Sequence, residues 1–559
     1  MPRTFSSRLI PRRLATAVVG GLVALTGLAT LPAASLAQSS QIAMIQDGSD
    51  LVNPTATFAE FRALGANTVR VIVPWYYIAP KPSSSTKPNF NATDPNAYAD
   101  SNWAPYDNIV NAAKTYGLKV DFTVTGGAPV WAQGKDIPGG AKHEDVNFAW
   151  KPNAAYYGQF MQALATRYDG SFKPKGQTTV LPAVHFWVIY NEPNFGQDLG
   201  PQAINQSKTL VGPMMYRGLV DAGFKALQAH HKRDTILIGD FAARGFYLSN
   251  GKRPGAPEGF PGNYGQTRPL YFLRYLYCVG SNYKPLTGSA AKSVGCPTTK
   301  SATRGFRKAH PGLFNASGVG DHPYPSNGTP TNDGKVTDYA TFPELGALAN
   351  TLDKVNRAYG SGKKYPIYND EYGYITSPPN GQKVTNQPSP KKASYVSPAT
   401  AAYYINWADY LSFKSSRIAS YMQYLLQDPM GGKGPYSGFA SGLEFNNGKH
   451  KPGYDAYRLP VYMPQTSLTK STNAELWGAA RPAPFLSRDG AQQIAVQLNG
   501  KTIKTVTPGG NGGYFDIKMR FASSGSVRLA YTYPSTDSLL PMSDLGTTVY
   551  SRSFNISVH

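Results

Sequence analysis

Val184-His185-Phe186-Trp187-Val188-Ile189-Tyr190 runs directly into Asn191-Glu192-Pro193-Asn194. The first seven residues are rich in β-branched and aromatic side chains and read as a buried strand. A glutamate waits where that strand ends. On either side the same unit recurs: a short β-branched run, then a longer run with helical spacing. Ile42–Ile45, Thr68–Val73 and Lys119–Val124 precede it as strands. Thr235–Gly239, Leu313–Gly320, Tyr365–Tyr368 and Ile418–Tyr424 follow it. Helical runs lie between them, at Phe58–Leu64, Asn108–Tyr116, Tyr157–Tyr168, Met215–Ala229, Leu270–Tyr277, Leu345–Tyr359 and Ala401–Phe413. Strict alternation implies a parallel sheet, and eight units imply a closed α/β barrel, the (β/α)8 TIM barrel. A doubly wound open sheet would want a glycine-rich phosphate loop after its first strand, and none is present.

With 559 residues the chain exceeds one ordinary core. Residues 1–37 read as a signal peptide. Arg3, Arg8, Arg12 and Arg13 form a basic start, an apolar run follows from Leu14 to Leu31, and Ser35-Leu36-Ala37 offers small residues to a peptidase. Residues 38–460 form the barrel. Pro460 to Pro464 reads as a linker, and 461–559 as a small all-β sandwich. In that last part Ile494, Val496 and Leu498 alternate before an Asn499-Gly500 turn, and Phe515–Phe521 and Val527–Tyr533 alternate in the same way. The sandwich reads as an accessory domain that braces the barrel, with glycan binding as the alternative.

In such a barrel the chemistry sits at the C-terminal ends of the strands. Strand four ends in Glu192. Strand seven, Tyr365-Pro366-Ile367-Tyr368-Asn369-Asp370, ends in Glu371. Cleaving a glycosidic bond takes two carboxyl groups, one protonated to release the leaving oxygen and one ionised to attack the anomeric carbon. A separation of roughly 5 Å implies retention of configuration. Asp370 competes with Glu371 for the second role. Alternation along a strand sends neighbours to opposite sides, so only one should face the axis, and Glu371 is favoured.

Asn191-Glu192-Pro193 after an aromatic-rich fourth strand, with Glu371 after the seventh, resembles glycoside hydrolase clan A, in particular families 5 and 39. The resemblance covers about residues 40–460. It implies a retaining (β/α)8 glycosidase with Glu192 as general acid/base and Glu371 as nucleophile. It places Arg70 beneath the nucleophile, Asn191 on the sugar 2-hydroxyl, His322 on the sugar or the acid/base, and Tyr324 on the nucleophile. Arg70 as a purely structural ion pair is the alternative. The clan's tryptophan at the end of strand eight is missing, because the chain there reads Tyr421-Met422-Gln423-Tyr424-Leu425. Trp75 and Trp131, in loops after strands two and three, read either as sugar platforms or as loop anchors. His185 reads as a core histidine.

The two cysteines, Cys278 and Cys296, pair as a disulfide in an exported protein. No metal-binding spacing is present, so neither metal nor cofactor is expected. Net charge is +22, or +18 without residues 1–37, which carry four arginines and no acid. That excess fits an anionic glycan or cell wall as partner, or else a generic basic surface. The basic residues are scattered and no nucleic-acid motif accompanies them. The expected protein is a secreted or wall-associated monomer that acts on a poly- or oligosaccharide and is free of the membrane after signal cleavage. A catalytically silent glycan-binding protein and a transglycosylase on the same fold are the alternatives.

Overall fold

The computed structural model describes residues 41–48, 52–135, 148–248, 265–325, 327–332, 334, 336–377, 395–429, 439–486 and 492–559. Residues 1–37, expected from the sequence to be a signal peptide, lie outside the described residues. Eight strands close into a parallel barrel: β1 (Ile42–Gln46), β2 (Thr68–Pro74), β3 (Lys119–Thr125), β4 (Phe186–Ile189), β5 (Thr235–Ala242), β6 (Gly318–His322), β7 (Ile367–Asn369) and β8 (Ile418–Tyr424). The order around the barrel is β1-β8-β7-β6-β5-β4-β3-β2, so each strand lies beside its sequence neighbours. Helices α1 (Pro54–Leu64), α2 (Asp100–Tyr116), α3 (Ala154–Arg167), α4 (Gly212–His230), α5 (Pro269–Leu276), α6 (Leu345–Ala358) and α7 (Pro398–Lys414) connect them, and α8 (Pro452–Arg458) follows β8.

Local chemistry sets the ends of these elements. Asn53 and Asn153 cap α1 and α3 through side-chain oxygens that accept from backbone N–H groups of the first turn. Gly65 ends α1 at φ +77. It is needed twice over, because a Cβ there would lie 2.1 Å from the Arg481 carbonyl carbon. On the strands, Val69, Val71 and Val73 alternate with Thr68, Arg70 and Ile72. Outside the barrel wall Phe122 meets Trp187 and Tyr168 edge-on, and Trp103 stacks on Phe160.

The sixth strand begins later than the apolar pattern predicts. Leu313 and Phe314 are buried in a short helix, Pro311–Asn315, whose proline sits in its first turn, and pairing starts only at Gly318. His185 is no core residue: its side chain is 70% exposed before β4 and pairs with Asp234 at 2.8 Å.

Residues 460–464 are not a linker. Val461–Tyr462 forms β9, pairs with β11 (Ala474–Ala479) and is buried. Tight docking of the two parts leaves no room for a free connection. β14 (Tyr514–Met519) completes that sheet after β12 (Ile494–Leu498) and β13 (Lys501–Val506). A second sheet runs β10 (Ser467–Leu468), β17 (Phe554–Val558), β15 (Gly525–Thr532), β12, β13, with β16 (Thr548–Tyr550) on β15. Arg481, fully buried, joins this region to the barrel. It donates to the Tyr457 carbonyl at 2.7 Å, to the Tyr514 hydroxyl at 3.0 Å and to the Asp409 carboxylate of α7. Tyr533 donates to the Ala63 carbonyl at 2.6 Å, and Trp477 packs on Tyr410 and Phe413. Cys278 and Cys296 are disulfide-bonded. Among the described residues no helix is long and apolar enough to cross a membrane.

Candidate active site

Arg70 points into the barrel from the middle of β2, with no exposed surface. Its guanidinium donates to Gln46 Oε1 at 2.7 Å, Glu371 Oε2 at 2.9 Å, Asn191 Oδ1 at 2.8 Å and Asp240 Oδ2 at 3.0 Å. One buried cation thus gathers the ends of β1, β4, β5 and β7. Burial alone would favour its neutral form, but Glu371 and Asp240 outweigh this and hold it charged.

Glu371 lies two residues beyond β7. Tyr324, two residues beyond β6, donates its hydroxyl to Glu371 Oε1 at 2.8 Å. Burial and the negative Glu371 push the Tyr324 phenol well up, so it remains a donor. Glu192 follows β4 on a backbone with φ +36, after Tyr190 at φ +76. Two positive-φ positions in non-glycine residues, one residue apart, mark local strain of the kind that gathers at functional sites. The two glutamate side chains keep 19% and 15% of their surface exposed, while Asp240, Asp370 and His322 keep none. Of these groups, the two glutamates are the ones that reach solvent.

His322 closes β6 between them. Its Nδ1 lies 3.0 Å from Glu192 Oε1 and 3.4 Å from Glu371 Oε2. Those two oxygens can be no further apart than the sum of the two distances, 6.4 Å. The bound applies to these two facing oxygens and is compatible with the roughly 5–5.5 Å separation of a retaining pair. Burial would push the imidazole down, but Glu371, Asp240 and Glu192 together hold it well above its ordinary value. The surrounding carboxylates thus favour the charged form of His322, while Arg70, 3.4 Å from its Nε2, opposes it. Asn191 is fixed from both sides, accepting from Arg70 and donating Nδ2–H to Asp198 Oδ1 at 3.1 Å. Burial and the charge of Glu192 push the Asp198 carboxyl well up.

Trp75 and Trp131 offer no sugar platform. Trp75 is 1% exposed and stacks on Phe160, and Trp131 is buried edge-on against Trp75 with its Nε1–H donated to the Pro80 carbonyl at 3.1 Å. Both anchor their loops. Tyr424 and Phe439 instead stand beside Tyr324, each half-buried and each within ring contact of it. Their signal in the sequence is weak, because Tyr424 occupies the strand-eight position where the resemblance implies a tryptophan.

Alternation does not decide between Asp370 and Glu371. β7 ends at Asn369, so both residues turn toward the axis, Asp370 deep and Glu371 at the mouth. Asp240 was not foreseen. Pairing with β6 slips between Gly239 and Phe241, and this bulge, with Asp240 at φ +50, turns its carboxylate inward. Asp240, His322 and Asp370 are close enough to grip a cation. The Arg70 guanidinium, 3.0 Å from Asp240 Oδ2 and 3.4 Å from His322 Nε2, already supplies positive charge there.

No protein-family model matches the sequence, and no curated protein matches it. Among solved structures the chain is similar to a family 39 glycoside hydrolase from Bacteroides cellulosilyticus, at 14% identity over 87% of this chain and 80% of that one, with a TM-score of 0.43. It is also similar to a glucosidase from Croceicoccus marinus, at 11% identity over 89% and 87%, with a TM-score of 0.44. A third is an endo-beta-1,4-mannanase from Thermotoga petrophila, at 11% identity over 93% and 97%, with a TM-score of 0.36.

Proposed function

We propose that this protein is a secreted, retaining glycoside hydrolase, with Glu371 as nucleophile and Glu192 as general acid/base. One observation carries the reading: two solvent-reaching glutamates, after β4 and β7, share contact with one buried imidazole, and one of them is clamped by Arg70 and Tyr324. Glu371, held by a cation and a phenol, attacks the anomeric carbon. Glu192 gives its proton to the departing oxygen and afterwards takes one from the water that frees the sugar. Asn191, locked by Arg70 and Asp198, offers its amide to the 2-hydroxyl. Tyr424 and Phe439 supply the aromatic wall. The C-terminal sheets brace the barrel through Arg481. The basic surface favours an anionic glycan, for which added salt should lower activity.

The test is azide rescue with an activated aryl glycoside. Glu371→Ala should lose all turnover. Glu192→Ala should still form the glycosyl-enzyme, because a good leaving group needs no proton, and azide should release a glycosyl azide of retained configuration. A retained azide from Glu371→Ala with an inverted one from Glu192→Ala would exchange the two roles. No turnover by the native protein on a panel of glycans and aryl glycosides would overturn the reading.

A further inference from the structure

Asp240 on β5 and Asp370 after β7 approach each other across β6, and the β6 residue between them is Gly320. A Cβ at Gly320 would fall 2.0 Å from Asp240 Oδ1 and 2.4 Å from Asp370 Oδ2. The two carboxyl groups fill the space that a side chain would take, and these two oxygens are at most the sum, 4.4 Å, apart. Both residues are fully buried, and neither oxygen has any other hydrogen-bond partner among the described residues. Their other oxygens are engaged. Asp240 Oδ2 accepts from Arg70 at 3.0 Å and faces His322 Nε2 at 3.7 Å. Asp370 Oδ1 accepts the Asp321 backbone N–H at 3.1 Å and faces the same Nε2 at 3.8 Å.

We propose that Asp240 and Asp370 are a buried acid–carboxylate pair sharing one proton, and that they are positioning residues which hold His322 as an imidazolium beneath the two glutamates. The inference rests on the proposed roles of Glu192 and Glu371 only for its catalytic consequence. The shared proton itself follows from geometry. Two ionised carboxylates so close in a water-poor interior repel strongly, and two orphan buried oxygens are costly. One proton between them removes both penalties. Asp370 holds it, because Asp240 faces the two cations. The charged and titratable groups around the pair are Arg70 of β2, Asp121 of β3, Tyr157 of α3, Tyr216 of α4, Asp321 and His322 of β6, and the two glutamates. Acids outnumber cations there, so some must stay neutral. Burial and the Asp240 charge push the Asp370 carboxyl well up. Burial would also raise Asp240, but His322 and Arg70 bring it below its usual value.

Arg70 Nη2, 3.4 Å from the same Nε2, opposes a proton there; the negative charge of the pair offsets it, so His322 keeps both ring protons and its Nδ1–H lies between Glu192 and Glu371. It steadies the two carboxyl groups at one spacing while the reaction shifts charge from one to the other. Were both aspartates neutral, Nε2 would lose its counter-charge. Were both ionised, the pair would repel.

Infrared difference spectroscopy with hydrogen–deuterium exchange tests this, because a protonated carboxyl has a carbonyl band of its own that shifts in heavy water. Asp370→Asn should remove one such band that persists in the native protein at pH 8. Asp240→Asn should weaken or remove that band as well, since Asp370 then loses the anion that kept it protonated and becomes the counter-charge to Arg70 and His322. If Asp370→Asn fails to fold, the Asp240→Asn change in that band alone decides. Native and Asp370→Asn spectra with the same protonated-carboxyl bands would overturn the proposal, as would one equivalent of a divalent metal in the purified protein. If the glycosidase reading holds, Asp240→Asn should also shift the pH limbs of kcat/KM by about one unit, as the charge beneath His322 and Glu192 changes. A native protein without glycosidase activity would sink that reading and leave the spectroscopic result standing.

Discussion

Tyr324→Phe removes one hydroxyl and nothing else from the nucleophile's cradle, and its effect can be worked from the contacts. The hydroxyl donates to Glu371 Oε1 at 2.8 Å, while Arg70 holds Oε2 at 2.9 Å and keeps the carboxylate in place. A hydrogen bond to a charged acceptor contributes about 1.5–3 kcal/mol, against about 0.5–1.5 for a neutral one. The proposed mechanism has Glu371 charged in the free protein. In the glycosyl-enzyme it is a neutral ester, and the bond weakens. As water releases the sugar, negative charge returns to Glu371 and the bond strengthens again in the transition state. Loss of the hydroxyl should therefore slow release by about 1 kcal/mol, or roughly fivefold. Attack should be spared, because there the bond weakens on the way to the transition state. With an activated aryl glycoside, kcat should fall about fivefold and KM should fall with it, leaving kcat/KM within about twofold. Stopped-flow should show a burst of aryl alcohol, and intact-protein mass spectrometry should show the glycosyl adduct in greater amount than in the native protein. A drop confined to kcat/KM, with no burst and no adduct, would refute the argument that Tyr324 acts on the departing carboxylate.

Three further outcomes follow from the packing. Arg481→Met leaves Asp409 buried without its cation and should cost about 3–5 kcal/mol in thermal or denaturant unfolding, whereas Arg481→Met with Asp409→Leu should recover much of it. Burial and the Glu444 charge push the Glu60 carboxyl from 4.5 up to about 7. A carboxyl raised in the folded state is held best while protonated, so its contribution is complete below about pH 4.5 and is lost as pH rises through 7. Glu60→Gln should thus gain in Tm relative to the native protein across that window, and a constant Tm difference would contradict it. Titration of the denatured, unreduced protein should find no free thiol, and Cys278→Ser with Cys296→Ser should lose about 3 kcal/mol, since the bond closes a loop of 18 residues.

The eight strands, their order and the strand ends that carry Glu192 and Glu371 were legible in the chain, because each depends on a repeat of side-chain character within a few residues. A β-branched run with a helical run after it means a strand with its crossover helix wherever it occurs, and eight such units close on themselves. Arg70 was legible as the one charge in the apolar run Thr68–Val73. Other features depend on residues far apart in the chain, and local periodicity carries no trace of them. Trp75 and Trp131 look alike as platforms or anchors until Phe160 and the Pro80 carbonyl cover them. Pro460 to Pro464 reads as a connection until Trp477 and Gly478 pair with Val461 and Tyr462. The bulge that turns Asp240 inward is a slip of pairing with β6, and the space that receives its carboxylate exists because Gly320, 80 residues later, has no side chain. Sequence thus determined the barrel and the two glutamates, through patterns local to each element. Tertiary structure alone decided which buried groups surround them, because burial and pairing belong to the contacts between elements.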